Sequence, residues 1–257
     1  MPVSTGSDGE DQLKVRTGIA AFALAGCALL AATGCGGHTA GKAKAPAAAA
    51  PDTSVTVLVA AAEPLHATSY RFTTTAAGIT GQGAADPAAK VVTMTTGSAI
   101  DVLYLGGDLY FKYPKGLPGA ESFGNGKWLH LDASKVALSK LGVSDFADPA
   151  GAYGYLKSAD RVQKIGDRHY TGTLDLTRSG AVPKSAESMG EAAKAVPFEA
   201  TLDDQGRLST LDVTVKVNGT DVTTHTTFSD YGAKVAAARP ADAVEAPESF
   251  YRIFSKS

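Results

Sequence analysis

Beyond residue 35 the chain has no cysteine: its only two, Cys27 and Cys35, lie near the N-terminus of 257 residues. A disulfide framework is thereby excluded for the rest, which has to be held by its core. Residues 35 to 257 number 223, the size of one ordinary domain. No excess of either charge is present, with 24 Lys and Arg against 26 Asp and Glu for a net charge of -2. Without residues 1 to 34, which carry Asp8, Glu10, Asp11, Lys14 and Arg16, the balance is -1. Near-neutrality argues against a nucleic-acid partner or a polybasic membrane-surface role.

Catalytic signatures are also missing. There is no Gly-x-Ser-x-Gly elbow, no Gly-rich phosphate loop ending in Lys and Ser or Thr, and no His-Glu-x-x-His. The histidines are His38, His66, His130, His169 and His225, and no two stand at metal-ligand spacing. His130, His169 and His225 fall in separate strand-like segments among polar alternates, which reads as solvent-facing. Asp203-Asp204-Gln205-Gly206 begins like a calcium loop, but Gln205 replaces a ligand position and no Glu follows at the required spacing, so a hairpin turn fits better. Gly116 to Gly126 lacks the strand-to-helix context of a phosphate site, and Lys115 to Gly126 reads as a mobile surface loop. No catalytic group, metal or cofactor is expected.

What is present begins at the N-terminus. Lys14 and Arg16 precede an apolar run that ends in Thr33-Gly34-Cys35-Gly36-Gly37. A basic spot, an apolar stretch and small residues before a Cys resemble a bacterial lipoprotein signal, whose Cys thiol receives a diacylglyceryl group. Leu24-Ala25-Gly26-Cys27 matches the usual lipobox more closely than Ala32-Thr33-Gly34-Cys35 does. Cys35 is still preferred as the lipid attachment site, with Cys27 as the alternative. Cleavage before Cys27 leaves only about eight apolar residues, the bottom of the ~7 to 15 expected, and an apolar stub at Ala28 to Ala32. An uncleaved anchor is the other alternative, since Thr17 to Thr33 is at the short edge of the ~17 to 25 residues that span a bilayer. Asp8, Glu10 and Asp11 are unusual ahead of a signal and leave open a start near Val15. The expected organisation is a signal over residues 1 to 34, a linker over 35 to 51 and one domain over 52 to 257. Gly36 to Pro51 is mainly Gly, Ala, Lys and Pro without periodicity, a tether reaching on the order of 20 Å.

Thr53 to Glu63 sets Val55, Val57, Leu58, Val59 and Ala62 near one helical face, although its β-branched residues keep a first strand open as the alternative. After Pro64 come alternating segments divided by Gly-rich turns. The clearest pair is Ala99 to Leu105 and Asp108 to Tyr113, joined at Gly106-Gly107, where two glycines permit a tight hairpin. Lys127 to Asp132, Asp160 to Ile165, His169 to Thr177, Phe198 to Leu202, Arg207 to Val217 and Val222 to Ser229 also alternate, so each turns one apolar row inward. Helices are expected at Ala133 to Leu141, Pro149 to Ser158 and Ser185 to Ala195, the last with Ser185 or Ser188 as its cap. Trp128, the sole tryptophan, is expected in the core, and the terminal Phe250, Tyr251, Ile253 and Phe254 are expected to dock on the domain.

One or two helices followed by many antiparallel strands, with helices inserted midway, predicts an α+β fold: a curved antiparallel sheet, or incomplete barrel, with helices on its concave face. The order of the pieces resembles the LppX/LprG-type lipoproteins of mycobacteria and other actinobacteria, which are similar in fold to the lipoprotein carrier LolA. The resemblance rests on Cys35, the helix near Val55, the GGDLYFKY hairpin, the GKWLHLD strand, and FEATLDDQGRLSTLDVTV followed by FSDYG, across most of residues 52 to 235. It implies a half-barrel with a hydrophobic cavity that in some relatives holds acyl chains, and no catalytic residues. The Ala- and Gly-rich composition also points to a high-GC bacterium.

The expected protein is a non-enzymatic lipoprotein, anchored on the outer face of the cytoplasmic membrane, that carries or presents a lipid or other hydrophobic ligand. A closed-core lipoprotein that docks on an envelope protein is the alternative. Leu103, Leu109, Phe111, Leu129 and Val213, large apolar members of single strand faces, are the cavity candidates.

Overall fold

The computed structural model describes residues 53–97, 100–137, 145–179, 189–217 and 219–254. They lie within the compact unit Ala49–Ser257. Cys27, Cys35, the linker, Ser185 and Ser188 lie outside the described residues.

Thr53–Ala62 forms α1 and buries Leu58, Ala61 and Ala62. Those positions share one face at spacings of three and four, and packing on that face outweighs the weak helix propensity of the β-branched residues. Pro64–Ala67 is a single turn, α2, with Pro at its first position, where a missing N–H costs nothing.

Among the described residues twelve strands follow: β1 (Tyr70–Ala76), β2 (Ile79–Asp86), β3 (Val91–Thr96), β4 (Ile100–Leu105), β5 (Asp108–Lys112), β6 (Trp128–Asp132), β7 (Ala159–Lys164), β8 (His169–Leu174), β9 (Val196–Leu202), β10 (Leu208–Val217), β11 (Thr220–Ser229) and β12 (Val244–Glu245). α3 (Ala152–Lys157) precedes β7, and α4 (Glu248–Phe254) closes the described chain. The strands make one curved sheet in the order β12-β6-β5-β4-β3-β2-β1-β11-β10-β9-β8-β7. Every neighbouring pair is antiparallel except β12 with β6. The end strands β12 and β7 do not pair with each other, so the barrel stays open.

Register assigns the two faces. Tyr70, Phe72 and Thr74 of β1 stand opposite Ala85, Gly83 and Gly81 of β2, and Phe72 also opposes Phe228 of β11. Carried strand to strand, this inner row reaches Met94, Val102, Phe111 and Leu129. α1 and α3 cover the inner face on the β7 to β10 side, with Leu58, Leu156, Phe198 and Leu211 in one core cluster. α4 covers a second cluster containing Leu109, Phe111, Leu129, Leu131 and Phe250. The terminal aromatics are therefore docked: Phe250 is 1% exposed and meets Phe111 edge-on at 5.4 Å.

Glycine matters where rings press on the sheet. A Cβ on Gly83 would come within 2.6 Å of Phe72 Cζ and 2.4 Å of the Thr93 carbonyl, and one on Gly172 within 2.8 Å of Phe198 Cε1. β2 is small-residue-rich because its neighbours' rings fill the space above it.

Several sequence expectations need correction. The helix expected from Ala133 is a 3-10 turn, Ala133–Lys135, over its first residues, where Asp132 accepts from Ser134 N; residues 138–144 lie outside the described set. The segment from Pro149 is helical only over Ala152–Lys157. Of the one ending at Ala195, the described part is a 3-10 turn, Gly190–Lys194. β8 stops at Leu174 because Asp175 turns the chain, accepting from Thr177 N. Trp128 is half-buried and on the outer face, since Leu129 and Leu131 take the inward positions of β6, and Lys112 Nζ lies 5.7 Å from its ring centre. The loop before β6 is tied down: Asn125 N donates to Ala120 O at 2.7 Å, Gly126 N to Tyr113 O at 3.0 Å, and Phe123 packs edge-on against Phe250 at 5.6 Å.

Gly83→Ala is expected to cost about 1 to 3 kcal/mol in denaturant unfolding. Gly81→Ala, whose Cβ would meet its nearest atoms at an ordinary 3.5 Å, should stay within experimental error of the parent.

Candidate functional site

Charge divides the two faces of this sheet. From β1 to β6 and from β8 to β11, no inward-pointing residue of the described strands is charged. The outward rows carry Arg71, Asp86, Asp101, Asp108, Lys112, Asp132, Glu199, Asp212, Lys216 and Asp221. Ten strands that all keep charge off one side form a surface suited to an apolar partner, since an unpaired charge against such a partner would be heavily penalised.

Part of that inner face is less covered than the rest. Thr74, Ala76, Thr96, Ile100, Val215, Val222 and Thr224 are half-buried, whereas Tyr70, Phe72, Leu211 and Phe228 on the same strands are buried. Ile79 at 63% and Val217 at 48% exposure continue the surface to the hairpin ends. Cross-strand pairs join these residues: Val215 opposes Val222, Thr224 opposes Ala76, Ala76 opposes Ile79, and Thr96 opposes Ile100. The floor they make is aliphatic with interspersed hydroxyls, of which Thr74 and Thr226 bond to each other at 3.2 Å. Where the two core clusters meet, Met94, Tyr104 and Phe146 pack against both, the last two rings stacked at 3.7 Å.

The five cavity candidates do not come together. Leu109, Phe111 and Leu129 are neighbours on the inner face but lie beneath α4. Val213 is inward and buried in the other cluster, opposite Phe198 and Thr224, at the border of the open floor. Leu103 points the other way: the Gly106-Gly107 turn pairs it with Tyr110, not with Leu109 or Phe111. The floor residues escaped notice in the sequence because threonine, glycine and alanine carry a weak apolar signal; the inward alternation of Val91 to Thr96 and Thr220 to Ser229 was the available clue.

Each strand histidine has an acidic partner on the outer face. His169 Nε2 is 3.2 Å from Glu199, His225 Nδ1 is 2.5 Å from Asp212, and His130 touches both Asp108 and Glu245. Among the described residues no three His, Cys, Asp or Glu side chains are grouped to hold a metal ion. Asp203 makes the tight turn between β9 and β10, its Oδ1 accepting from Gln205 N at 2.8 Å and Arg207 N at 2.9 Å.

One carboxyl is buried beneath the helical cover. Asp148 is 2% exposed, and its Oδ2 accepts from Tyr153 N at 2.8 Å in the first turn of α3. Its Oδ1 has no hydrogen-bond partner among the described residues. Burial raises its pKa, outweighing the backbone N–H groups of Tyr153 and Ala152 and the nearby His66. Tyr70, whose hydroxyl donates to Ala147 O at 3.0 Å, is likewise raised, first by burial and then by Asp148.

No family model matches this chain, and no curated protein matches it. Among solved structures it is similar to a LolA-superfamily protein from Nitrosomonas europaea, with 11% sequence identity, a TM-score of 0.33, and coverage of 72% of this chain and 94% of that one. A likeness of that size carries no inference about ligands. Among the described residues no helix is long and apolar enough to cross a membrane.

A carboxyl whose folded pKa is raised contributes its full stability only below the ordinary carboxylate range, and that contribution is lost as pH rises through the raised value. Asp148→Asn, which keeps an acceptor for Tyr153 N, should therefore melt close to the parent near about pH 4 and clearly above it at about pH 8. Asp148→Ala should fall about 1 kcal/mol below Asp148→Asn at either pH through the missing cap. Thermal melts across that range check both outcomes.

Proposed function

We propose that this protein is a non-enzymatic, membrane-anchored lipoprotein of the extracytoplasmic side that binds a lipid or other hydrophobic ligand on its inner face and carries or presents it. The observation that carries this reading is the uncharged inner face with its half-exposed aliphatic and threonine floor. Apolar surface removed from water supplies the driving force, and the absence of charge means that no ion must be desolvated when a chain lies down there. The LppX/LprG-type order of segments and the Cys35 lipobox, with Cys27 as alternative, are consistent with the same reading, as is an actinobacterial source.

A second reading has its own support. Leu109, Phe111 and Leu129 are already covered by Phe250 and Phe123 of the same chain, as in a closed-core protein that docks on an envelope partner.

Native mass spectrometry of residues 52–257, purified gently from a lipid-containing host, should find a bound acyl species. A protein that is clean and takes up no added lipid would favour the partner-docking reading. Val222→Lys, which sets a charge on the floor, should weaken acyl binding by about tenfold or more while leaving the melting temperature nearly unchanged. The full-length protein from its membrane should carry diacylglyceryl on Cys35, checked by peptide mass.

A further inference from the structure

The outer face of the sheet also carries buried residues, and they fall in one line. Cross-strand register sets Arg71, Ala84, Thr93, Leu103, Tyr110 and His130 side by side from β1 to β6. Ala84, Leu103 and Tyr110 are buried to 3%, 6% and 1%. The strap of residues 230–243 begins and ends beside this line. Asp230 pairs with Arg71 at 3.5 Å at its start, and Ala233, Val235 and Ala237 are half-buried while Lys234, Ala236 and Ala238 are exposed. Arg239 lies 5.9 Å from the Tyr110 ring centre and bonds Asp108 Oδ2 at 2.5 Å. The strap then becomes β12 on the free edge of β6, and α4 turns from there onto the inner face.

His130 joins this path to the sheet at both ring nitrogens. Nε2 is 2.9 Å from Asp108 Oδ1, and Nδ1 is 2.7 Å from Glu245 Oε1. Two carboxylates are acceptors only, so both contacts are hydrogen bonds only when the ring carries both protons. Neutral imidazole has one N–H, and its other nitrogen then sets a lone pair against a carboxylate. The remaining groups around the ring do not offset this: Arg239 is engaged with Asp108, Tyr110 presents its ring at 5.1 Å, and Asp132 on the same strand is bonded to Ser134 and Lys135.

We propose that the inner-face cluster of Leu109, Phe111 and Leu129 is a second, cryptic site for an apolar ligand, closed by α4 and opened when deprotonation of His130 releases β12 and the helix behind it. This rests on the hydrophobic-ligand reading above and adds a control to it. α4 occupies the site as a ligand would, with Phe250 and Phe254 against Phe111 and Phe123 beside them. Glu245 first, then Asp108, raises the His130 pKa, with burial opposing. The latch is thus complete below the ordinary imidazole range and is lost as pH rises through the raised value. Opening also has to break the bonds that tie Tyr251 and Phe254 to the end of β6 and the segment after it, Asp132 N to Tyr251 Oη at 2.9 Å and Ala137 N to Phe254 O at 2.7 Å. These bonds remain when the latch is released and limit the open population.

The test is hydrogen exchange of residues 53–257 together with binding of the uncharged fluorophore N-phenyl-naphthylamine, at about pH 6 and about pH 9. After correction for the intrinsic pH dependence of exchange, opening of 240–254 should rise with pH while β8 to β11 stay unchanged, and dye binding should rise about threefold or more. His130→Gln should open this segment equally at both pH values. Glu245→Gln, whose amide can donate to the neutral ring, should hold it closed at both. A parent whose exchange in 240–254 does not change with pH, or a pH response that survives both substitutions, overturns the latch even if the dye binds. Opening on schedule without any dye binding leaves the latch standing and removes the ligand reading.

Discussion

An open sheet with an uncharged inner face has to be covered by something, and the rest of this molecule depends on how that cover is supplied. Ten strands keep every charge on the outer side, so the inner rows form one apolar surface larger than the described helices shield. Without disulfides to hold the described domain together, burial of that surface is the main source of its stability. α1 and α3 cover the β7 to β10 side, α4 covers β4 to β6, and the stretch from Val215 through Thr224 and Ala76 to Ile100 is left half-exposed.

The cover comes from both ends of the described chain. α1 packs directly against α3, β7 and β10, whereas α4 reaches its place only after the strap has crossed the outer face. One segment thus meets both faces, Arg71, Asp108 and Tyr110 outside and the aromatic cluster inside. The few polar contacts along it matter because the strap is extended and buries little of its own; the paired carboxylates around His130 are the densest of them. Asp148 has the opposite character, a buried carboxyl whose local duty is to cap α3 while burial pushes its pKa up.

Much of the strand pattern was legible. The Gly106-Gly107 turn has positive φ at both glycines, as a tight hairpin requires, and the KWLHLD and LDVTVKV segments alternate as expected. The same turn determines that Leu103 opposes Tyr110, so its outward direction followed from period two once the register was set. Less legible were β1 to β3, where Thr, Gly and Ala give little apolar contrast and the compensating bulk sits on neighbouring strands, as Phe72 does over Gly83. Trp128 was misjudged for a related reason: a large ring reads as core, yet its neighbours Leu129 and Leu131 own the inward positions.

The sequence by itself determined the alternation, the turns and the segregation of charge, because each depends on residues a few positions apart. Only the tertiary structure decided which apolar rows are closed and which stay open. That outcome depends on where α1, α3 and the C-terminal strap come to rest, through contacts such as Arg239 with Asp108 that join residues far apart in the chain and leave no local periodicity.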